Sequence, residues 1–132
     1  MNRFGKLCVT LAAVSVSANA YAHEDVRPLT QPTPSYPADA ILQKLSGRCE
    51  VRFDVDRRGQ VVDPVALCTH PFFCEEVIRT ISAVTFAPND EEEHSLPYYG
   101  AVYPFEFSIS GDRVTSKNAP FRECKGKAQA VS

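Results

Sequence analysis

Between Cys49 and Asp56 apolar and charged residues alternate without a break: Cys49, Val51, Phe53 and Val55 against Glu50, Arg52, Asp54 and Asp56. A period of two places one set on each face of an extended chain, so the stretch predicts a strand with one face buried. The same period returns late in the chain, where Tyr103, Phe105, Phe107 and Ile109 are separated by Pro104, Glu106 and Ser108. Val61 to Cys68 predicts a further strand, joined to the first by a two-residue turn at Arg58-Gly59. It is less regular, because Asp63-Pro64 interrupts it, and a proline there points to an edge or a bulge. Two other segments carry the helical period. Ala38, Ile41, Leu42 and Leu45 fall on one stripe after Pro37, which suits the first position of a helix, and Gly47 is placed to end it. Phe73, Val77, Ile78, Ile81 and Val84 form the second stripe, after His70-Pro71. Glu75 and Arg79 make an i,i+4 pair on its outer side, and Phe86-Ala87-Pro88 closes it. The order α-β-β-α-β predicts an α+β fold, a small three-stranded antiparallel sheet packed on two helices, over residues 36–110.

The flanks carry other signals. Arg3 and Lys6, the apolar run from Leu7 to Val16 and the small-x-small sequence Ala20-Tyr21-Ala22 have the form of a signal peptide over residues 1–22, cleaved before His23. The run is shorter than the roughly 20 apolar residues a spanning helix needs, so export is expected over a retained anchor. Cys8 sits in this run as packing. Residues 23–35 are polar and proline-rich, an extended lead-in. Asn89 to Gly100 reads as a loop carrying Asp90-Glu91-Glu92-Glu93-His94. The polar tail 111–132 is expected to be mobile except where Phe121 or Cys124 pins it.

Composition narrows the partners. Beyond residue 22 there are 12 basic and 16 acidic residues, the wrong balance for nucleic acid or anionic lipid. Four cysteines remain there, Cys49, Cys68, Cys74 and Cys124, an even number that favours disulfides in an exported chain. The two-residue turn sets Cys49 opposite Cys68 and leaves Cys74 for Cys124. A one-residue bulge would shift that register, and the rival pairing, Cys68 with Cys74, closes the loop Thr69 to Phe73.

Candidate chemistry is thin. A chain beginning at His23 could offer copper an amine and an imidazole, with His70 or His94 as second ligand, and Cys68, His70 and Cys74 could bind zinc as thiolates and imidazole. The flexible lead-in and the oxidising compartment favour neither, and Asp90 to Glu93 reads as a solvated loop. The residues are therefore read as holding no metal or cofactor. Serines, histidines and aspartates show no triad spacing. Glu50, Asp54 and Asp56 point out of an open strand, where nothing would tune a pKa. Nothing here points to an enzyme.

Taken together, Tyr36-Pro37 with Ala40, Gly47, Val51-x-Phe53-x-Val55, Gly59-x-Val61, Pro71, Phe86-x-Pro88 and the strand Val102 to Phe107 resemble the TonB C-terminal domain family over residues 36–109. The resemblance implies a periplasmic domain whose last strand lies near the sheet edge. That strand pairs with a short peptide, the TonB box, of an outer-membrane transporter, by adding a strand to the sheet. The peptide-binding edge would be Ala101, Val102, Tyr103, Pro104, Phe105, Glu106, Phe107, Ser108 and Ile109, and Thr33, Tyr36 and Pro37 would be the helix-start motif. Thr33 stands where the family often has a glutamine, and Val84 where it often has a tryptophan. Pro104 removes one N–H from the pairing strand. The long linker of the energy transducers is missing, so an adaptor is expected. The alternative function is an envelope assembly module acting by strand-edge homodimerisation or docking.

Overall fold

The computed structural model describes residues 13–17, 26–88 and 95–125. In chain order the elements are β1 (Val14–Ser17), β2 (Val26–Pro28), α1 (Ala38–Leu42), β3 (Leu45–Val55), β4 (Val61–Cys68), a 3₁₀ turn (Pro71–Phe73) and α2 (Cys74–Ser82). There follow β5 (Phe86–Pro88), β6 (Tyr98–Ile109), β7 (Val114–Thr115) and β8 (Arg122–Glu123). The fold is α+β. Its sheet is mostly antiparallel, in the order β1-β6-β3-β4-β8, with β7 parallel to the start of β3. The sheet is thus wider than the three strands read from the sequence, although β6-β3-β4 forms its centre. A separate small ribbon pairs β2 with β5.

The alternating residues explain the layering. Cys49, Val51, Phe53 and Val55 of β3 and Ala101, Tyr103, Phe105, Phe107 and Ile109 of β6 are buried on one face. On α2, Val77 and Ile81 are buried, with Phe73 just before it and Val84 just after it. Phe73 stacks on Phe107 with ring centroids 4.5 Å apart, and Tyr36 stands edge-on to Phe107 at 5.5 Å and to Phe73 at 6.1 Å. Gly47 is what lets Phe73 approach so closely. A Cβ there would lie under 3.0 Å from the Phe73 ring and from the Ser116 and Thr69 side-chain oxygens.

Several sequence expectations change. The first helix is one short turn ending at Leu42, and Leu45 and Gly47 belong to β3. Its apolar stripe is not a buried face: Ala38, Ile41 and Leu42 are exposed, Leu42 to 81%, whereas Ala40, which is off the stripe, is fully buried. Gly47 therefore serves close packing instead of ending a helix. Arg79 pairs with Glu76, at i,i+3. Pro88 ends a strand, and the lead-in contributes Val26 to the core.

The hairpin between β3 and β4 is the most informative correction. Its turn runs from Asp56 to Gln60, where Gly59 has φ +82° and the Asp56 carboxylate accepts from the Arg58 and Gln60 N–H groups at 2.8 and 2.9 Å. It is not a two-residue turn. The longer turn displaces the register by one residue, and an irregularity opposite Phe53, at Asp63 (φ +50°) and Pro64, displaces it back. The two shifts cancel, and Cys49 faces Cys68. The structure bonds Cys49 to Cys68 and Cys74 to Cys124.

Residues 111–125 form a strap around one end of the sheet. Ser116 donates its N–H and its hydroxyl to the Ser46 carbonyl, both at 2.8 Å. The Arg48 guanidinium lies 5.0 Å from the centre of the Phe121 ring. The Cys124 N–H then bonds the Ala66 carbonyl at 2.8 Å, and the Cys74 disulfide fixes the strap to the start of α2.

One buried group is left without a partner among the described residues, the Thr80 hydroxyl, on a residue only 6% exposed. Desolvating a hydroxyl without a hydrogen bond costs about 1–3 kcal/mol, and valine has the same shape. Thr80→Val is expected to raise the melting temperature by roughly 4–8 °C in a domain of this size. A calorimetric scan showing a lower midpoint would mean that the hydroxyl has a partner after all.

Candidate functional site at the sheet edge

The two borders of the sheet differ. On the β4 side the Asp63-Pro64 bulge and β8, paired at Leu67 and Cys68, blunt the edge, and a disulfide holds the cover in place. On the β6 side, β1 covers Glu106 to Ile109, and among the described residues no second strand joins β3 in pairing with Tyr99 to Phe105.

Two bonds fix which groups of β6 face outward. The Ile109 N–H bonds the Ser46 hydroxyl at 3.1 Å, toward β3, and the Ser110 N–H bonds the Ala13 carbonyl at 2.9 Å, toward the border. Successive residues of a strand turn their N–H groups to opposite sides. The N–H groups of Phe107, Phe105 and Tyr103 therefore serve the ladder to β3. Those of Ser108, Glu106 and Val102 face the border, and Pro104 occupies the one place in that series with no N–H to give. Its missing donor is on the free side.

The side chains divide in the same way. Tyr103, Phe105 and Phe107 are all at most 3% exposed, so the rings are core and a partner would meet backbone. Burial holds the Tyr103 phenol above its ordinary pKa. On the opposite face, the Glu106 carboxylate pairs with the Lys117 ammonium at 3.0 Å, and Lys117 also donates to the Ser108 hydroxyl. A shallow cleft of about 160 Å³ lies beside this pair, lined by Arg48, Glu50, Pro104, Glu106 and Phe121 among others.

The helix-start motif is structural where it is buried. The Tyr36 hydroxyl donates to the Leu45 carbonyl at 2.5 Å, and burial pushes its pKa up, so it remains a donor at neutral pH. Its ring braces Phe107 from behind. Pro37 precedes α1, and Thr33 is exposed on the approach to it.

The cysteine chemistry is closed. The sulfurs of Cys68, Cys74 and Cys124 lie within 4.8 Å of one another, yet each is already bonded to another sulfur and has no thiolate to offer a metal. His70 accepts the Phe72 N–H on Nδ1 at 3.2 Å, and burial lowers its pKa, which keeps it neutral. His23, His94, the Asp90–Glu93 run and the expected cleavage point lie outside the described residues. Sequence reasoning missed the occupant of the edge, although Val14-Ser15-Val16-Ser17 carries the period of a strand.

A sheet with one blunted border, one border only partly covered and a core closed behind it suits a protein-interaction domain. The family model for the C-terminal domain of the Gram-negative bacterial TonB protein matches residues 32–109, over half of the chain, and the chain belongs to this family. Domains of the family are periplasmic protein-interaction modules of TonB-type envelope transport that bind outer-membrane transporters. No curated protein and no solved structure matches the chain. Among the described residues, no helix is long and apolar enough to cross a membrane.

Proposed function

We propose that this chain is an exported periplasmic adaptor, freed of residues 1–22 before His23, and that it captures an extended peptide of an outer-membrane transporter on the β6 border. The peptide, a TonB box or a segment like it, adds a strand along Ala101 to Ile109. Backbone bonds hold it, and side-chain alternation selects it. The observation that carries this reading is the outward series of N–H groups on β6, beside a border that is otherwise the unblunted one. A homodimer formed through the same border is the second reading, supported by the readiness of β6 to accept a strand.

Calorimetric titration of residues 23–132 with peptides from transporter plug segments is expected to show saturable one-to-one binding. Ser108→Pro deletes a border-facing donor and is expected to weaken it about tenfold, since a hydrogen bond contributes up to about 1.5 kcal/mol net. No heat at millimolar peptide, with a mass that doubles on concentration, would give the border to the homodimer instead.

A further inference from the structure

The border-facing donors of β6 already have a ligand, and it comes from the chain itself. β1 runs antiparallel to β6, with Val14 opposite Ile109, Ser15 opposite Ser108, Val16 opposite Phe107 and Ser17 opposite Glu106. The Ala13 carbonyl adds the bond to the Ser110 N–H. These contacts take up the donor series at Glu106, Ser108 and Ser110. The next place in that series is Pro104, where no donor exists. The uninterrupted acceptor is therefore the slot from Glu106 to Ser110, and residues 13–17 span it from end to end.

The occupant's side chains show what the slot selects. Val16, opposite Phe107, packs against the core, while Val14 is 47% exposed and Ser15 is exposed. One small β-branched residue is seated and its neighbours are tolerated. Releasing the strand leaves the core intact, because every buried residue of the main cluster lies between Val26 and Phe107. The domain from His23 onward thus keeps its own core.

We propose that residues 13–17 are the resident occupant of a peptide slot, Glu106 to Ser110, and that an external peptide enters the full chain only by displacing them. The slot takes an extended, uncharged segment, antiparallel to β6, with valine or a residue of similar shape opposite Phe107. Removal of the N-terminal segment opens it. This inference rests on the peptide-capture reading above and adds the length, polarity and gating of the site.

The test compares the full chain, full-chain Val16→Asp and residues 23–132. Each is titrated with a transporter plug peptide and with a synthetic peptide of residues 11–19, following backbone amide shifts. Val16→Asp puts a carboxylate against Phe107, so it should behave as the chain lacking the segment. If the slot is open in a tenth of full-chain molecules, their apparent affinity for added peptide falls about tenfold. The expected result is that weakening in the full chain alone, with the 11–19 peptide shifting Glu106, Ser108 and Ser110 in residues 23–132. Equal plug-peptide affinity in all three forms would overturn the resident occupant and leave peptide capture standing. Binding of the 11–19 peptide without any plug peptide would uphold the slot and remove the transporter reading. A full chain that doubles in mass, while Val16→Asp does not, would overturn occupancy within one chain in favour of exchange between copies.

Discussion

Phe107→Ala is expected to be the most destabilising single substitution in the core, removing about 3–5 kcal/mol of stability. Phe107 is fully buried, stacked on Phe73, braced by Tyr36 and set opposite Gly47 of β3. Truncating a buried phenylalanine costs about 3–5 kcal/mol, from lost transfer energy and the cavity left behind. A domain of this size has only about 5–15 kcal/mol in total. The cavity has little means of collapsing, since Gly47 offers no side chain and both neighbouring rings are fixed from other elements. Tyr36→Phe is the milder companion. It keeps both ring contacts and removes only the bond to the Leu45 carbonyl, so a loss near 1 kcal/mol is expected. Urea unfolding measures both, and a Phe107→Ala loss below about 1 kcal/mol would mean that the three-ring cluster is not the centre of the core.

The disulfides should fail in order and with different consequences. Cys49 and Cys68 are 1% and 2% exposed, whereas Cys74 and Cys124 are only partly buried, so mild reductant is expected to open Cys74–Cys124 first. That bridge holds a strap whose own residues are mainly exposed, so its loss frees residues 111–125 locally while the centre of the sheet persists. Replacing Cys49 and Cys68 together by alanine acts on the centre instead. The bridge joins β3 to β4 at a sequence separation of 19. Closing a loop of that length contributes about 3 kcal/mol in the chain-entropy model. Denaturant melts of the two double variants, with amide exchange to locate the loosened segment, separate the effects. A larger loss from the Cys74–Cys124 pair would show that the strap is integral to the sheet.

The sequence was readable where the period of side chains and the burial agreed. Strict alternation marked β3 and β6, and Phe73, Val77, Ile81 and Val84 marked α2. The first helix was over-read because Leu45 continues its stripe in number only. Lys44, at φ +49°, turns the chain and delivers Leu45 to the sheet. β2 and β5, three residues each, are too short to show a period. β7 and β8 depend on the strap, which the Cys124 tether shapes from a distance. At the site, the order of elements pointed to β6. Whether Pro104 faced inward or outward depended on which side β3 lies, and only the bonds from Ile109 and Ser110 decide that.

The claim that β6 is a peptide-capturing border is tested most directly by mapping backbone amide shifts of residues 23–132 as a transporter plug peptide is added. The account predicts saturable shifts largest at Glu106, Ser108 and Ser110, weaker ones at Val102, and a break at Pro104. Shifts confined to α1 or the strap, or none at millimolar peptide, would contradict it.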